Sequence, residues 1–379
     1  MLVVYSPRQK EHRPETFVAA GKARPHPDAV ERIDALLEGV AGGGHRIIEP
    51  PDHGLRLIEA VHAPRYLEFL SRAHEAWQAL PNASEHLIPN VHPRSASAGL
   101  AGWAPPDSAP GAWAPPPGSA PAGYPSSIVG RAGYHFYDLS CPLSAATWPA
   151  VLWNAHSASE AALAVASGAC ASAYALCRPP GHHAGADYGG GFCYLNNAAI
   201  AAAILRRRYA RVAVLDIDVH HGNGTQDIFY QRADVLVVSL HGDPAHFYPF
   251  YWGYAAQTGA GEGQGYNLNL PLPRGLEDDG YLEALARALE RIRAARSEAL
   301  VVSLGLDAYE RDPLSFLKIS TQGFARIASA VGALALPSVL VQEGGYFCQD
   351  LGRNLAAFLR GFESSHSLSA ARGAEGGGA

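Results

Sequence analysis

Short apolar runs alternate along this chain with segments of helical periodicity, and polar or glycine residues separate one from the next. The apolar, β-prone runs lie at residues 172–177, 212–216, 235–240, 300–304 and 338–342. Apolar residues recur at the spacing of an amphipathic helix in residues 195–208, 278–296 and 321–335. This alternation predicts an α/β fold with a mostly parallel central sheet and helices on both of its faces.

Two segments interrupt the pattern. Residues 93–126 hold nine of the 28 prolines and only two charged residues, so we expect a long irregular loop there. Its aromatic residues, Trp103, Trp113 and Tyr124, either pack on the body or line the rim of a pocket, and the sequence favours neither. Residues 364–379 are rich in Ser, Ala and Gly, which predicts a disordered tail.

Composition narrows the class of protein. Charged residues make up 17% of the chain, which is low for a globular domain and indicates a large buried core. The net charge of −6, with a basic run only at residues 206–208, argues against a nucleic-acid partner. Five cysteines without a CxxC pair predict neither a disulfide framework nor a cysteine metal site. The chain shows neither a signal peptide nor an apolar stretch of membrane-spanning length, so we expect a cytoplasmic protein without a membrane partner.

Polar side chains capable of catalysis follow each predicted strand. The five segments at the strand ends are CRPPGHH, DIDVHHGNG, SLHGD, SLGLDAYE and QEGGY. In a parallel sheet the carboxyl ends of the strands meet at one edge, where ligands bind. One such ending is unremarkable, but five in succession predict a single convergent site.

The second segment predicts a metal site. Residues at i, i+2 and i+4 of an extended segment share one face, so Asp218 and His220 can hold one ion while Asp216 lies on the same side behind them. Asp307, at the end of another strand, can supply a third ligand. Two carboxylates and an imidazole nearly neutralise a divalent cation and leave positions for water and substrate, as a hydrolytic zinc site requires.

Acid and base groups are predicted beside this metal. His182 and His183 follow a stiff Arg-Pro-Pro-Gly turn and can shuttle a proton, with Asp216 and Asn223 as candidate partners for their outer nitrogens. Tyr346 follows two glycines and can donate a hydrogen bond to a developing oxyanion. The chain has no GxSxG elbow and no Walker A loop, which argues against serine hydrolases and nucleotide-binding enzymes.

In their order and spacing, these motifs resemble those of the zinc-dependent histone deacetylase family, which has the arginase/deacetylase fold. The segments GTQDIFYQR, HGDPAHFYPF, DPLSFLKIS and RPETF are similar to the bacterial acetylpolyamine amidohydrolases of that family. The resemblance covers residues 1–363, which it implies to be one deacetylase domain, and fails mainly in the 93–126 insert.

The resemblance implies a role for each site residue. His183 would be the general base and acid, His182 its electrostatic partner, and Tyr346 the phenol that polarises the carbonyl. Zinc would be bound by Asp218, His220 and Asp307. A narrow substrate tunnel would be formed by Gly191, Phe192, Tyr248 and Leu314. A structural potassium ion would use Asp216, Ser239 and the backbone carbonyls of Asp218, His220 and Leu240.

The resemblance also implies a homodimer through the N-terminal loop, residues 12–27, and a small acylated amine as substrate. Relatives that act on polyamines place carboxylates near the pocket mouth, where this chain has Val129 and Ser140. Asp138 is close by and is a candidate substitute, but the sequence does not show that it points inward, so acetylpolyamines and acetyl-lysine both stay open as substrates. An arginase-like ureohydrolase and a noncatalytic binding module of the same fold are the alternatives; the former would need further metal ligands, such as a DAHxD motif, that the chain lacks.

Overall fold

The computed structural model of the protein describes residues 1–19, 21–91 and 123–376. Its strands are β1 (Leu2–Val4), β2 (Thr16–Ala19), β3 (Lys22–Pro25), β4 (Arg46–Ile48), β5 (Ser172–Ala175), β6 (Val212–Asp216), β7 (Val235–Gly242), β8 (Asn267–Leu272), β9 (Ala299–Leu304) and β10 (Ser338–Gln342). Strands β2 and β3 form an antiparallel hairpin. The others form one sheet in the order β4-β1-β5-β10-β9-β6-β7-β8, in which every neighbouring pair is parallel.

Parallel pairing requires long crossover connections, and most of those between these strands contain α-helices. The helices are α1 (Glu31–Ala41), α2 (Arg56–Glu59), α3 (Pro64–Gln78), α4 (Ile128–His135), α5 (Thr147–Ala166), α6 (Asn197–Arg206), α7 (Asn223–Phe229), α8 (Asp278–Ala294), α9 (Thr321–Gly332) and α10 (Leu351–Gly376). Within the described residues, no helix combines the length and the apolar character needed to cross a membrane.

The sheet is buried on both faces, as the sequence predicted. Val301 of β9 packs in a cluster with Val151 of α5 and Ile200 of α6. Its neighbour Val302 points the opposite way, into a second cluster that contains Leu285 of α8. Because successive strand residues alternate between the two faces, a strand covered on both sides must be apolar throughout. The α/β fold with helices on both faces is therefore confirmed.

The predicted strands correspond to β5, β6, β7, β9 and β10, and the bounds of β6 and β10 match the prediction residue for residue. The predicted helices correspond to α6, α8 and α9. Strands β1, β4 and β8 were not predicted. The first two have three residues each, too few for a period of two to be recognised.

The disordered tail predicted for residues 364–379 needs correction, because α10 continues to Gly376. The ring of His366 stacks on the buried Phe362, with centroids 5.2 Å apart, and is hydrogen-bonded to the carbonyl of Leu336 at 2.8 Å. These contacts attach the start of the Ser- and Ala-rich segment, whose composition indicated disorder, to the body of the protein. Residues 377–379 lie outside the described residues.

Most of the predicted 93–126 loop, with Trp103 and Trp113, also lies outside the described residues. Tyr124 is described, and its ring meets that of Tyr134 on α4 with centroids 5.1 Å apart. Its hydroxyl is hydrogen-bonded to Nε2 of His135 at 3.0 Å. Of the two possibilities left open for this side chain, packing on the body is the one observed.

Helices α1 and α10 meet through glycine. A Cβ added at Gly39 of α1 would lie 2.3 Å from the carbonyl oxygen of Gly352 on α10, and one added at Gly352 would lie equally close to the carbonyl oxygen of Ala35. No larger residue fits between two backbones at that distance. The contact therefore fixes α1 against the segment that follows β10.

Candidate active site

The five predicted strands are neighbours in the sheet, in the order β5, β10, β9, β6 and β7. Because all of them are parallel, their carboxyl ends open at the same edge. The polar segments that follow them are consequently brought to one place. This arrangement accounts for the convergence that the sequence predicted.

Asp218, His220 and Asp307 meet at this edge. One ligand atom of each lies within 4.8 Å of the other two, and all three side chains are buried. Nδ1 of His220 is 3.2 Å from Oδ1 of Asp218 and 3.1 Å from Oδ2 of Asp307. Backbone N–H groups orient the carboxylates, since Gly344 donates to Asp218 at 2.7 Å and Val219 donates to Asp307 at 3.0 Å.

The chemistry of this trio suits a divalent cation. Burial, followed by the negative charge of Asp218, raises the pKa of Asp307 to about 6. Two buried carboxylates that repel one another in this way are stabilised when a cation lies between them. Two carboxylate oxygens and an imidazole nitrogen are also a donor set that catalytic zinc accepts. The residues present therefore fit a metal ion.

His182 and His183 lie side by side, with ring centroids 4.1 Å apart, and they bind different partners. Nδ1 of His182 is 2.9 Å from Oδ2 of Asp216, and Nδ1 of His183 is 2.7 Å from Oδ1 of Asn223. Because an amide oxygen only accepts, His183 carries its proton on Nδ1, which leaves Nε2 basic. Both predicted pairings of histidines with Asp216 and Asn223 are present.

The two imidazoles differ in charge. Burial disfavours the charged form of His182, yet the carboxylates of Asp216 and Asp218 outweigh burial and raise its pKa to about 10. Burial and the neighbouring imidazoles of His182 and His220 hold the pKa of His183 well below its usual value. A cationic His182 therefore lies beside a neutral His183 that can accept a proton.

Tyr346 is buried and held from two sides. Its backbone N–H donates to Oδ2 of Asp312 at 2.6 Å, and the guanidinium of Arg32 lies 5.0 Å from the centre of its ring. Arg32 also donates to the carbonyls of Glu343 and Gly345, and so it fixes the loop that carries the phenol. Burial raises the pKa of Tyr346 well above its usual value, so the phenol keeps its proton as a donor.

Arg32 belongs to a buried ion network that the sequence did not indicate. Oδ1 of Asp28 lies 2.6 Å from Nη1 of Arg32 and 3.3 Å from Nε of Arg178, and all three side chains are fully buried. Arg178 in turn donates to the carbonyls of Gln9 and His12. Asp28 thus connects the segment that ends in His182 and His183 with the loop that carries Tyr346.

Three of the predicted tunnel residues surround these groups. The ring of Phe192 meets that of Tyr346 edge-on at 5.8 Å, and the ring of Tyr248 meets that of His183 edge-on at 5.1 Å. A Cβ added at Gly191 would lie 2.3 Å from Cδ2 of His183. The absence of a side chain at this position therefore keeps the backbone close to His183.

The fourth predicted tunnel residue, Leu314, is connected to the site through its backbone. Its N–H donates to Oδ1 of Asp312 at 2.8 Å, and Asp312 is the carboxylate that holds Tyr346. The N-terminal hairpin also contacts a predicted tunnel residue, since the ring of Phe17 on β2 packs against that of Phe192 with centroids 5.4 Å apart. The sequence indicated neither Asp312 nor Phe17. No local pattern distinguishes a buried Asp that holds a loop, or a Phe beside the site, from the other Asp and Phe residues of the chain.

Three of the residues expected around potassium, Asp216, Ser239 and Leu240, lie on the neighbouring strands β6 and β7. Asp216 and Ser239 are paired across β6 and β7, and Leu240 follows directly. Oδ1 of Asp216 accepts from the N–H of Asp218, while the hydroxyl of Ser239 is hydrogen-bonded to His241. The sheet thus brings Asp216 and Ser239 side by side, and the potassium site stays a prediction.

The chain matches the family model described as the histone deacetylase domain over residues 26–362. The chain belongs to the histone deacetylase family. As a member of this family it is an amidohydrolase of the deacetylase type.

Several relatives within the histone deacetylase family match nearly the full chain. It is 45% identical to the acetylpolyamine amidohydrolase of Burkholderia pseudomallei (strain 1710b), over 96% of this chain and 98% of the relative. It is 40% identical to acetylpolyamine amidohydrolase 2 of Pseudomonas aeruginosa, over 97% and 100%. The crystal structure of the acetylpolyamine aminohydrolase from Burkholderia pseudomallei superposes with a TM-score of 0.86 and 43% identity, covering 96% of this chain and 99% of that one.

Proposed function

We propose that the protein is a zinc-dependent amidohydrolase that releases acetate from small linear acylated amines, foremost acetylpolyamines. The buried trio of Asp218, His220 and Asp307 beside His183 and Tyr346 is the observation that carries the proposal. The substrate class is supported by the similarity to acetylpolyamine amidohydrolases across both chain lengths.

Asp218, His220 and Asp307 would hold the zinc ion, which when bound lowers the pKa of water and polarises a carbonyl. The remaining chemistry belongs to the protein. His183 accepts a proton at Nε2 from the attacking water, while Asn223 keeps its Nδ1 proton in place. The same Nε2 then protonates the departing amine, so acetate and a free amine result.

Two neighbours stabilise the charges that develop. Tyr346 donates a hydrogen bond from its phenolic hydroxyl to the carbonyl oxygen as negative charge accumulates there. The positive charge on His182, maintained by Asp216, lowers the proton affinity of His183 so that the proton is passed on to the amine. The carboxylate of Asp312 and the guanidinium of Arg32 hold the phenol in position.

Two finer features belong to the same proposal. A potassium ion bound by Asp216, Ser239 and the carbonyls of Asp218, His220 and Leu240 would stabilise the loop behind the metal ligands. A homodimer would form through residues 12–27, a segment that contains the β2–β3 hairpin. The contact between Phe17 and Phe192 supports a role of this segment at the tunnel mouth.

The test is acetate release from N-acetylputrescine and from an acetyl-lysine peptide, measured on protein of known zinc content. His183→Ala and Tyr346→Phe should each lower turnover at least about a hundredfold. The matched control is Asp279→Asn, because Asp279 is 84% exposed on α8 and pairs only with Arg326 among the described residues. A chelator should abolish release, and zinc should restore it.

The two substrates distinguish the outcomes. Faster release from N-acetylputrescine supports an acetylpolyamine amidohydrolase, and faster release from the peptide would move the assignment to acetyl-lysine. Wild-type turnover in either active-site variant would overturn the residue roles. No release from either substrate at full zinc loading would contradict the proposal and favour a noncatalytic binding module.

A further inference from the structure

A single carboxylate, that of Asp138, lies behind the tunnel wall in the connection between α4 and α5. Its Oδ2 accepts from the backbone N–H of Gly191 at 3.0 Å and from the hydroxyl of Tyr248 at 2.7 Å. Its Oδ1 accepts from the backbone N–H of Ser140 at 3.0 Å and from the Ser140 hydroxyl at 2.7 Å. A carboxylate offers about four acceptor positions, so all of them are used here.

One wall of the tunnel depends on these bonds for its shape. Gly191 and Phe192 are consecutive residues with left-handed backbones, at φ +55° and φ +69°. This conformation is costly for Phe192, whose Cβ crowds the backbone there. The N–H of Gly191 donates to Asp138, and the N–H of Phe192 donates to the Ser140 hydroxyl at 3.2 Å, which itself donates to Asp138. The carboxylate therefore holds both N–H groups of the turn.

The second wall is attached to the same carboxylate. The Tyr248 hydroxyl, which donates to Asp138, lies 2.5 Å from the hydroxyl of Tyr137, whose ring is stacked on that of Tyr248. Tyr137 also reaches Oδ1 of Asn223 at 3.4 Å, the acceptor that orients His183. The wall formed by Tyr248 is thus placed by Asp138 on one side and by the partner of His183 on the other.

We propose that Asp138 is a positioning residue that joins the two walls of the substrate tunnel and sets the width available to an unbranched acylated amine. The inference rests on the proposed function, because it assigns the tunnel to the substrate chain. Asp138 acts through Gly191, Phe192 and Tyr248 and does not pair with the distal ammonium of a polyamine, since protein donors already occupy its oxygens.

Two ligands separate this role from general damage to the site. Both ligands carry a hydroxamate group that binds at the metal site. Acetohydroxamate has only a methyl group beyond it, whereas octanohydroxamate has an alkyl chain that would also fill the tunnel. Titration calorimetry on zinc-loaded protein should show that Asp138→Ala weakens the binding of octanohydroxamate at least about tenfold. This is the scale expected for the loss of one or two hydrogen bonds to a charged group. Acetohydroxamate affinity and zinc content should change less than about threefold, as in the Asp279→Asn control.

Substrate kinetics provide a second measurement. Asp138→Ala should raise KM for N-acetylputrescine about tenfold or more, with a smaller fall in kcat, because the tunnel is altered more than the reacting groups. In a double variant with Tyr248→Phe, the fold-increase in KM should be smaller than the product of the two single fold-increases. Both substitutions remove the same hydrogen bond between Tyr248 and Asp138.

Three results would overturn the inference. They are equal weakening of both hydroxamates, unchanged octanohydroxamate binding, and independent effects of the two substitutions. Asp138→Asn, which keeps the size of the side chain, repeats the binding test if Asp138→Ala folds poorly. Hydroxamate binding does not require turnover, so a protein that hydrolyses no acylated amine could still confirm the role of Asp138 while the proposed function failed.

Discussion

Replacement of Asp28 by Asn tests the buried ion network directly. The substitution keeps the size of the side chain but removes the negative charge that lies between the guanidinium groups of Arg32 and Arg178. Both arginines are fully buried, so each would keep its charge with no carboxylate beside it. We expect a large loss of stability and a misplaced Tyr346 loop.

The magnitude follows from the geometry. Removing one partner of a buried ion pair typically costs about 3–5 kcal/mol, because the remaining charge stays in a medium of low polarity. The pKa of Asp28 gives a second, lower value for the stability that its charge contributes. Burial acts to raise this pKa, but Arg178 and Arg32 outweigh burial and lower it from 3.8 to about 2. That difference corresponds to roughly 2 kcal/mol in favour of the charged carboxylate.

The assay is urea unfolding at pH 7, followed by tryptophan fluorescence, with turnover measured in parallel. Asp34→Asn is the matched control, because Asp34 lies on α1, is 55% exposed and pairs with Lys10 at the surface. Surface pairs of this kind contribute at most about 1 kcal/mol. Asp28→Asn should lose about 2–5 kcal/mol and should lower kcat more than it raises KM.

The pH dependence has a defined sign. Because the folded-state pKa of Asp28 is lowered, its contribution is present above pH 3.8 and is lost as the pH falls toward 2. The difference between wild type and Asp28→Asn should therefore shrink below pH 3.8. A loss no larger than that of Asp34→Asn at pH 7 would refute the reasoning.

Two further predictions concern stability away from the site. Burial lowers the pKa of His62 from 6.5 to about 4, and its Nε2 accepts from the N–H of Asn196, so the fold keeps it neutral and loses stability as pH falls below 6.5. Protonation of His62 in the unfolded state should lower the free energy of unfolding by roughly 2 kcal/mol between pH 7 and pH 5. Urea unfolding midpoints at both pH values should show a smaller loss of stability in His62→Gln than in wild type. An equal loss in the two proteins would contradict the assignment. Gly352→Ala should destabilise by about 1–3 kcal/mol through overpacking against Ala35. Its control is Gly42→Ala, where a Cβ would meet nothing within 4 Å, and thermal melts that show equal shifts in the two variants would disprove the close contact.

The sequence predicted the part of the site that depends on local spacing. Asp218 and His220 lie two residues apart in the segment that follows β6. The apolar runs before them and before Asp307 identified two strands that prove to be neighbours. Parallel strands bring their carboxyl ends together regardless of the loops between them. The candidate ligands could therefore be named without knowledge of the strand order.

The residues that hold the site in position could not be named in this way. Arg32 donates to Gly345, which lies 313 residues further along the chain, and Asp138 accepts from Gly191, which lies 53 residues away. Such partners are determined by the packing of whole elements, and an isolated Asp or Arg carries no sign of it. Helix α5 shows the same limit, because residues all around it are buried and no amphipathic period is left to read.

The glycine contact between α1 and α10 bears on how substrate preference can diverge within the family. Helix α1 carries Arg32, and α10 follows the loop of Tyr346, so any change that separates the two helices also shifts the reacting phenol. At the proposed tunnel mouth, Phe17 of the β2–β3 hairpin packs against Phe192, and this hairpin can change without moving the helices α1 and α10. Variation among relatives should therefore concentrate at the mouth, and selection for a new acylated amine should recover substitutions there while leaving Gly39 and Gly352 unaltered.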